Sequence, residues 1–215
     1  MNKNWKEFNF EVNLNKLAEI LEIIKSGKNI LVDFESFNLS PEIKNIPLVF
    51  GYSQLEFNKN KSFFFMKEYK SIFIPYKIKN PENFWKYELR KWFKKYKEKN
   101  FIFLGSKLEL EIFNNFIGIK NNNFNHLDLY DLLNEPVFTW IKPKTELLKT
   151  KFVNFIMEDY KTVIDARKIN EFFSYYLNDK EWKNRKRYII EVKEKNEKDL
   201  QTMIEILNWL NKLII

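Results

Sequence analysis

Apolar residues recur at Leu14, Leu17, Ala18, Leu21 and Ile24, a spacing that lays one stripe along a helix over Leu14–Lys25, with Asn13 as N-cap and Gly27 placed to end it. The period then shortens. Asn29 to Glu35, reading NILVDFE, has the apolar, β-favouring character of a buried strand. Leu48 to Leu55 and Ser62 to Met66 predict two further strands around a turn at Asn58–Asn60, giving an antiparallel meander, and Ser71 to Tyr76 is a further short strand or an extended loop.

Asn80 and Pro81 predict a helix start, and Phe84, Trp85, Leu89, Trp92, Phe93 and Tyr96 share one side of the helix that follows, to about Lys97. Asn100 to Leu104 is a short buried strand broken by Gly105 and Ser106, and Leu108 to Ile117 is a helix with Leu108, Ile112, Phe113 and Phe116 inward. Beyond an Asn-rich loop at Lys120–Asn125, His126 to Leu133 predicts a short strand running into a helical turn. Helices follow at Thr145–Met157 and Ala166–Leu177, with Asp165 a cap candidate; Asn178–Arg187 is charged and irregular. A last helix from about Glu197 to Leu213 packs through Leu200, Met203, Ile204, Leu207 and Leu210. This order predicts one α/β domain over residues 1–215, its mixed sheet led by three antiparallel strands and flanked by helices, with the helix at about 14–25 as an N-terminal addition.

Composition narrows the chemistry. With 45% apolar and 18% aromatic residues the chain can fill a large, Phe-rich core. It has no Cys and one His, which excludes disulfides, thiolate zinc sites and His-rich metal centres. Any metal would be held by oxygen, favouring Mg²⁺ or Mn²⁺. No apolar leader follows Met1 and no run approaches the roughly 20 residues that cross a bilayer, so a cytoplasmic location without membrane contact is the expectation.

The net charge of +8 would attract a polyanion, although an AT-rich genome also raises Lys. Placement is more informative than total. Lys86, Arg90, Lys91, Lys94, Lys95 and Lys97 share the outer side of the helix after Pro81, as a solvated face or a phosphate-binding one. A second cluster holds Lys180, Lys183, Arg185, Lys186 and Arg187.

Asp33 and Glu35 are two apart on a strand, so both face one side while Val32 and Phe34 pack on the other. Neighbouring acids resist desolvation unless a cation accompanies them, a divalent metal being the simplest. The alternative is a strand entering a solvated turn, with Asp33 as a cap and Glu35 in water. Glu109, with Glu111 beside it, lies in the first turn of a helix, where the dipole alone favours an acid. Asp199 would stand at N3 if Asn196 were a cap. His126 reads as a structural or surface residue, and Asp128 and Asp131 as caps or turn residues.

Taken in order, Asp33, Glu35, Glu109 and Asp199 resemble the DEDD exonuclease branch of the ribonuclease H-like fold, with VDFES at 32–36 as first motif and LGSKLE at 104–109 in the place of the second. In the second motif Gly105 stands where the family has Asn, Leu108 where it has Phe and Glu109 where it has Asp. An uncharacterised DEDD-like domain of mycoplasma and other bacteria is the most similar branch, DLYDLL at 128–133 included. The resemblance spans about Asn29–Leu210. It implies a 3'-5' exonuclease acting on single-stranded DNA or RNA, with Asp33, Glu35, Glu109 and Asp199 holding two Mg²⁺ or Mn²⁺ ions and Lys86, Arg90, Lys91, Lys94, Lys95, Lys183, Arg185, Lys186 and Arg187 gripping the strand. The family's water-positioning Tyr or His, four or five residues before the last Asp, is replaced here by Lys195 or Glu194. The alternative is a catalytically degenerate nuclease-like domain serving as a nucleic-acid-binding or protein-interaction module.

Overall fold

The computed structural model describes residues 10–37, 45–76, 78–119, 124–133, 137–140 and 182–215. A sheet ordered β4 (Phe63–Met66), β3 (Ile46–Asn58), β2 (Asn29–Phe37), β6 (Asn100–Phe103) and β7 (His126–Asp128) forms the middle layer, and β5 (Lys70–Phe73) pairs with β3 alongside β4. β2, β3 and β4 are antiparallel, whereas β6 joins β2 in parallel and β7 joins β6 in parallel. This is the mixed sheet with three antiparallel leading strands that the sequence predicts. A separate two-stranded ribbon pairs β1 (Phe10–Val12) with β8 (Phe138–Trp140), which the hydrophobic pattern does not predict.

Helices cover both faces. Val32 and Phe34 of β2 point to the layer of α2 (Pro81–Tyr96) and α3 (Lys107–Ile117), where Trp85, Trp92 and Phe113 complete an aromatic core. Phe34 stacks on Phe50 of β3 with ring centroids 4.5 Å apart. On the opposite face Leu31 packs with Leu17 and Leu21 of α1 (Leu14–Ser26) and with Leu200, Met203 and Leu207 of the C-terminal helix. Alternation along one strand therefore assigns Leu31, Asp33 and Glu35 to the face of that C-terminal helix.

The expected element starts hold at Asn13 and Asn80, whose side chains accept from the N–H groups of Lys16 and Asn83. His126–Leu133 is the expected strand and helical turn, the latter being α4 (Leu129–Leu132). The helices expected at 145–157 and 166–177, Asp165 and Lys180 lie outside the described residues.

The C-terminal helix corrects the sequence reading. It runs without a break as α5 (Trp182–Lys212), so the segment expected to be irregular at 182–187 is helical and Asn196 is an interior residue, not a cap. Buried positions at Val192, Asn196, Leu200, Met203, Leu207 and Leu210 keep helical spacing through the polar stretch. Arg187 and Glu191 form an i,i+4 ion pair at 2.5 Å. Near its end, Asn208 donates to the Phe64 carbonyl and accepts from its N–H, standing in for a neighbouring strand along β4. No described helix is long and apolar enough to cross a membrane.

Candidate active site

β2 carries Asp33 and Glu35 to the C-terminal end of the parallel part of the sheet, where pairing with β6 stops at Leu31–Ile102 and a bulge follows Glu35. Both carboxylates are buried, Glu35 being 4% exposed. The solvated-turn alternative is thereby removed. α5 crosses this face and brings Asp199 beside them, so that carboxylate oxygens of Asp33, Glu35 and Asp199 lie within 4.8 Å of one another.

Glu109 arrives from the first turn of α3 and is 4% exposed. The turn before it is fixed by Asp128, whose carboxylate accepts from the backbone N–H groups of Gly105 at 2.9 Å, Ser106 at 2.6 Å and Tyr130 at 2.9 Å. Gly105 has φ +89°, a left-handed conformation, and a side chain there would also meet the Tyr130 ring. Asp128 is thus a cap, as expected, and the cap sets the position of Glu109. Burial pushes Glu109 up to about 8, its own backbone N–H opposes the rise, and the Asp128 and Glu35 charges add to it. Oε2 of this carboxyl is buried and has no hydrogen-bond partner among the described residues. Glu111 lies exposed and accepts from Asn45 at 2.8 Å, so the inward acid of the pair is Glu109.

Two residues of α5 complete the cluster. Nδ2 of Asn196 donates to Oδ2 of Asp33 at 2.5 Å and to the Asp33 carbonyl at 3.1 Å, while the Tyr69 hydroxyl donates to Oδ1 of Asn196 at 2.9 Å. Burial pushes the Tyr69 phenol up, so it remains a donor. Lys195, one turn before Asp199, donates through Nζ to Oε1 of Glu35 and, at 2.8 Å, to Oδ2 of Asp199. Burial alone would lower the lysine, but the charges of Glu35, Asp199 and Asp33 outweigh it and push the ammonium up. Lys195 therefore stands in the site as a counter-ion to Glu35 and Asp199.

The acids respond to burial and to each other. Asp33 is raised well above the carboxylate range by burial, then by Asp199 and Glu35, with Lys195 opposing. Burial brings Glu35 to about 7, Lys195 again opposing and Asp199 adding. Carboxylates that a single ammonium leaves so strained suit a hard divalent cation, and the oxygen-only donor set with a buried unpartnered Oε2 on Glu109 fits one. Asp33, Glu35 and Asp199, whose oxygens converge, and Glu109, whose Oε2 is unpartnered among the described residues, are the residues that would hold it.

The basic residues are not gathered here. α2 lies in the layer across the sheet from α5, its Arg90, Lys91, Lys94, Lys95 and Lys97 exposed and Lys86 paired with Glu82 at 3.5 Å. Lys186 and Arg187 are exposed near the start of α5, Arg187 paired with Glu191; the side chains of Lys183 and Arg185 lie outside the described residues. Tyr69 escaped the sequence reading, and Asn196 entered it only as a possible cap. The only available signal was helical spacing, since Asn196 interrupts an otherwise apolar stripe between Val192 and Leu200.

No protein-family model matches the chain. No curated protein matches it either. Among solved structures, the crystal structure of the Aedes aegypti Nibbler EXO domain is similar over 94% of this chain and 92% of that one, at 13% identity and a TM-score of 0.39. Similarity of that degree adds nothing to the strand order and register described above, on which the fold rests.

Proposed function

We propose that this chain is a divalent-metal-dependent 3'-5' exonuclease that hydrolyses phosphodiester bonds in single-stranded DNA or RNA. The convergence of Asp33, Glu35 and Asp199 within 4.8 Å, from a strand and a helix more than 150 residues apart in sequence, is the observation that carries the reading. When bound, a divalent ion supplies charge opposite a phosphate oxygen and a more acidic water.

The protein's own residues prepare that environment. Asn196 fixes the rotamer of Asp33 through Oδ2, leaving Oδ1 for an ion, and Tyr69 holds the Asn196 amide in the donating orientation. Asp128 holds the turn that presents Glu109. Lys195 keeps Glu35 and Asp199 from repelling one another before substrate arrives. The exposed cations of α2 and of the start of α5 are the candidates for backbone phosphate contacts. In this proposal the chain acts as one domain in the cytoplasm.

The test is a time course on a 5'-labelled single-stranded oligonucleotide with Mn²⁺ or Mg²⁺. A ladder of products shortened from the 3' end, absent with chelator, is expected. Binding without shortening would replace the enzyme with the degenerate binding module.

A further inference from the structure

Lys195 lies between two of the clustered carboxylates. Its Nζ lies between Glu35 and Asp199, the two acids that a second divalent ion would need, and its side chain is only 12% exposed. We infer that the Lys195 ammonium is the site's resident second cation, so that the cluster takes one divalent ion, against Asp33 and Glu109, instead of two. The inference rests on the metal-dependent reading above and deepens it.

Two independent features support it. Oε2 of Glu109 is buried with no hydrogen-bond partner among the described residues, so an unfilled demand for a cation lies on the Glu109 side. On the other side the demand is already met, because both Glu35 and Asp199 bond the ammonium. Charge count agrees: Lys195 balances one of the four carboxylates and one dication balances two more. A second dication beside a retained Lys195 would turn a buried acidic site net positive, with ammonium and metal repelling at contact distance.

Helix geometry makes the arrangement durable. Lys195 and Asp199 are four apart on α5, and Asn196 between them is anchored to Asp33, so the helix cannot rotate to withdraw the lysine without losing the Asp33 contact. Withdrawal of Nζ would need the side chain alone to swing out and leave two buried carboxylates unpaired.

The experiment counts Mn²⁺ bound to the native chain by calorimetry, with free Mn²⁺ checked by its electron paramagnetic resonance signal, and repeats the count on Lys195→Ala and Glu109→Gln. One ion for the native chain, two for Lys195→Ala and none at comparable affinity for Glu109→Gln are expected. Two ions on the native chain, none on the native chain, or one on both the native chain and Lys195→Ala would each overturn the inference. The native count stands even if Lys195→Ala fails to fold without metal, and Lys195→Arg, which keeps the cation, should still bind one. Because no substrate is present, one ion without cleavage defeats the nuclease reading and leaves this inference intact, whereas two ions with cleavage does the reverse.

Discussion

Asn196 holds Asp33 by two hydrogen bonds, one to the carboxylate at 2.5 Å and one to the backbone carbonyl at 3.1 Å. The space for it exists because residue 51 of the neighbouring strand is glycine: a Cβ built there would lie 1.6 Å from Oδ1 of Asn196. A strand position without a side chain, a helix-interior amide and a tyrosine hydroxyl thus determine how the first acid is presented.

Gly51→Ala should therefore displace Asn196 and cost about 1–3 kcal/mol by overpacking. Its signature in denaturant unfolding is a lowered midpoint at unchanged slope, accompanied by weaker Mn²⁺ binding. An unchanged midpoint would show that α5 sits farther from β3 than described.

Asn196→Ala leaves a buried carboxylate oxygen without this donor and the Tyr69 hydroxyl with its longer bond to the Lys193 carbonyl at 3.4 Å, an expected loss of about 1–3 kcal/mol. Tyr69→Phe removes only the outer member and should cost about 0.5–1.5 kcal/mol. If Tyr69→Phe proves the more damaging of the two, the order of dependence in this chain of bonds is wrong.

The metal-free protein should lose stability as pH rises. Glu35 and Glu109, raised from 4.5 to about 7 and about 8, bind protons more tightly folded than unfolded. Their contribution is full below about pH 4.5 and is lost as pH climbs through 7 and 8. Urea midpoints in chelator should fall between pH 5 and pH 8.5, and Glu109→Gln should flatten that fall. A midpoint that climbs over this range would contradict the burial assigned to the two acids.

Much of this arrangement was legible in the chain, and the remainder was hidden for identifiable reasons. NILVDFE announces β2 because apolar residues on both faces mark a central strand, and alternation alone sends Asp33 and Glu35 together to one side. Glu109 could be placed in a first turn by Gly105 and Ser106 before it, but its burial depends on Asp128, whose reach back to that turn is a tertiary contact. The first turns of α5 read as irregular since NRKRY has no apolar stripe, yet the Arg187–Glu191 pair and the helix beyond carry it. Lys195 could be placed in the site by its distance of one turn from Asp199, but its pairing with Glu35 is a tertiary contact that no local pattern shows. The three-residue strands β1 and β8 are too short to show a period of two.

Binding of a single-stranded oligonucleotide should weaken with salt, the logarithm of affinity falling by about 0.7 per neutralised phosphate for each tenfold rise. Replacing Arg90, Lys91, Lys94 and Lys95 together by Ala should flatten that dependence with little change in stability, since all four side chains are exposed. An unaltered slope, measured by fluorescence anisotropy, would assign the contacts elsewhere and leave the α2 charge as a solvated face.

The central claim, that the buried acids form a metal-dependent phosphodiesterase centre, is tested most directly by comparing native protein with Asp33→Ala on the same 5'-labelled single strand in Mn²⁺. Asp33 is the acid held by Asn196 and shared between the β2 and α5 sides of the cluster, so its loss should abolish shortening from the 3' end while binding of the strand persists. Equal rates of shortening by the native chain and Asp33→Ala, or products that persist in chelator, would contradict it.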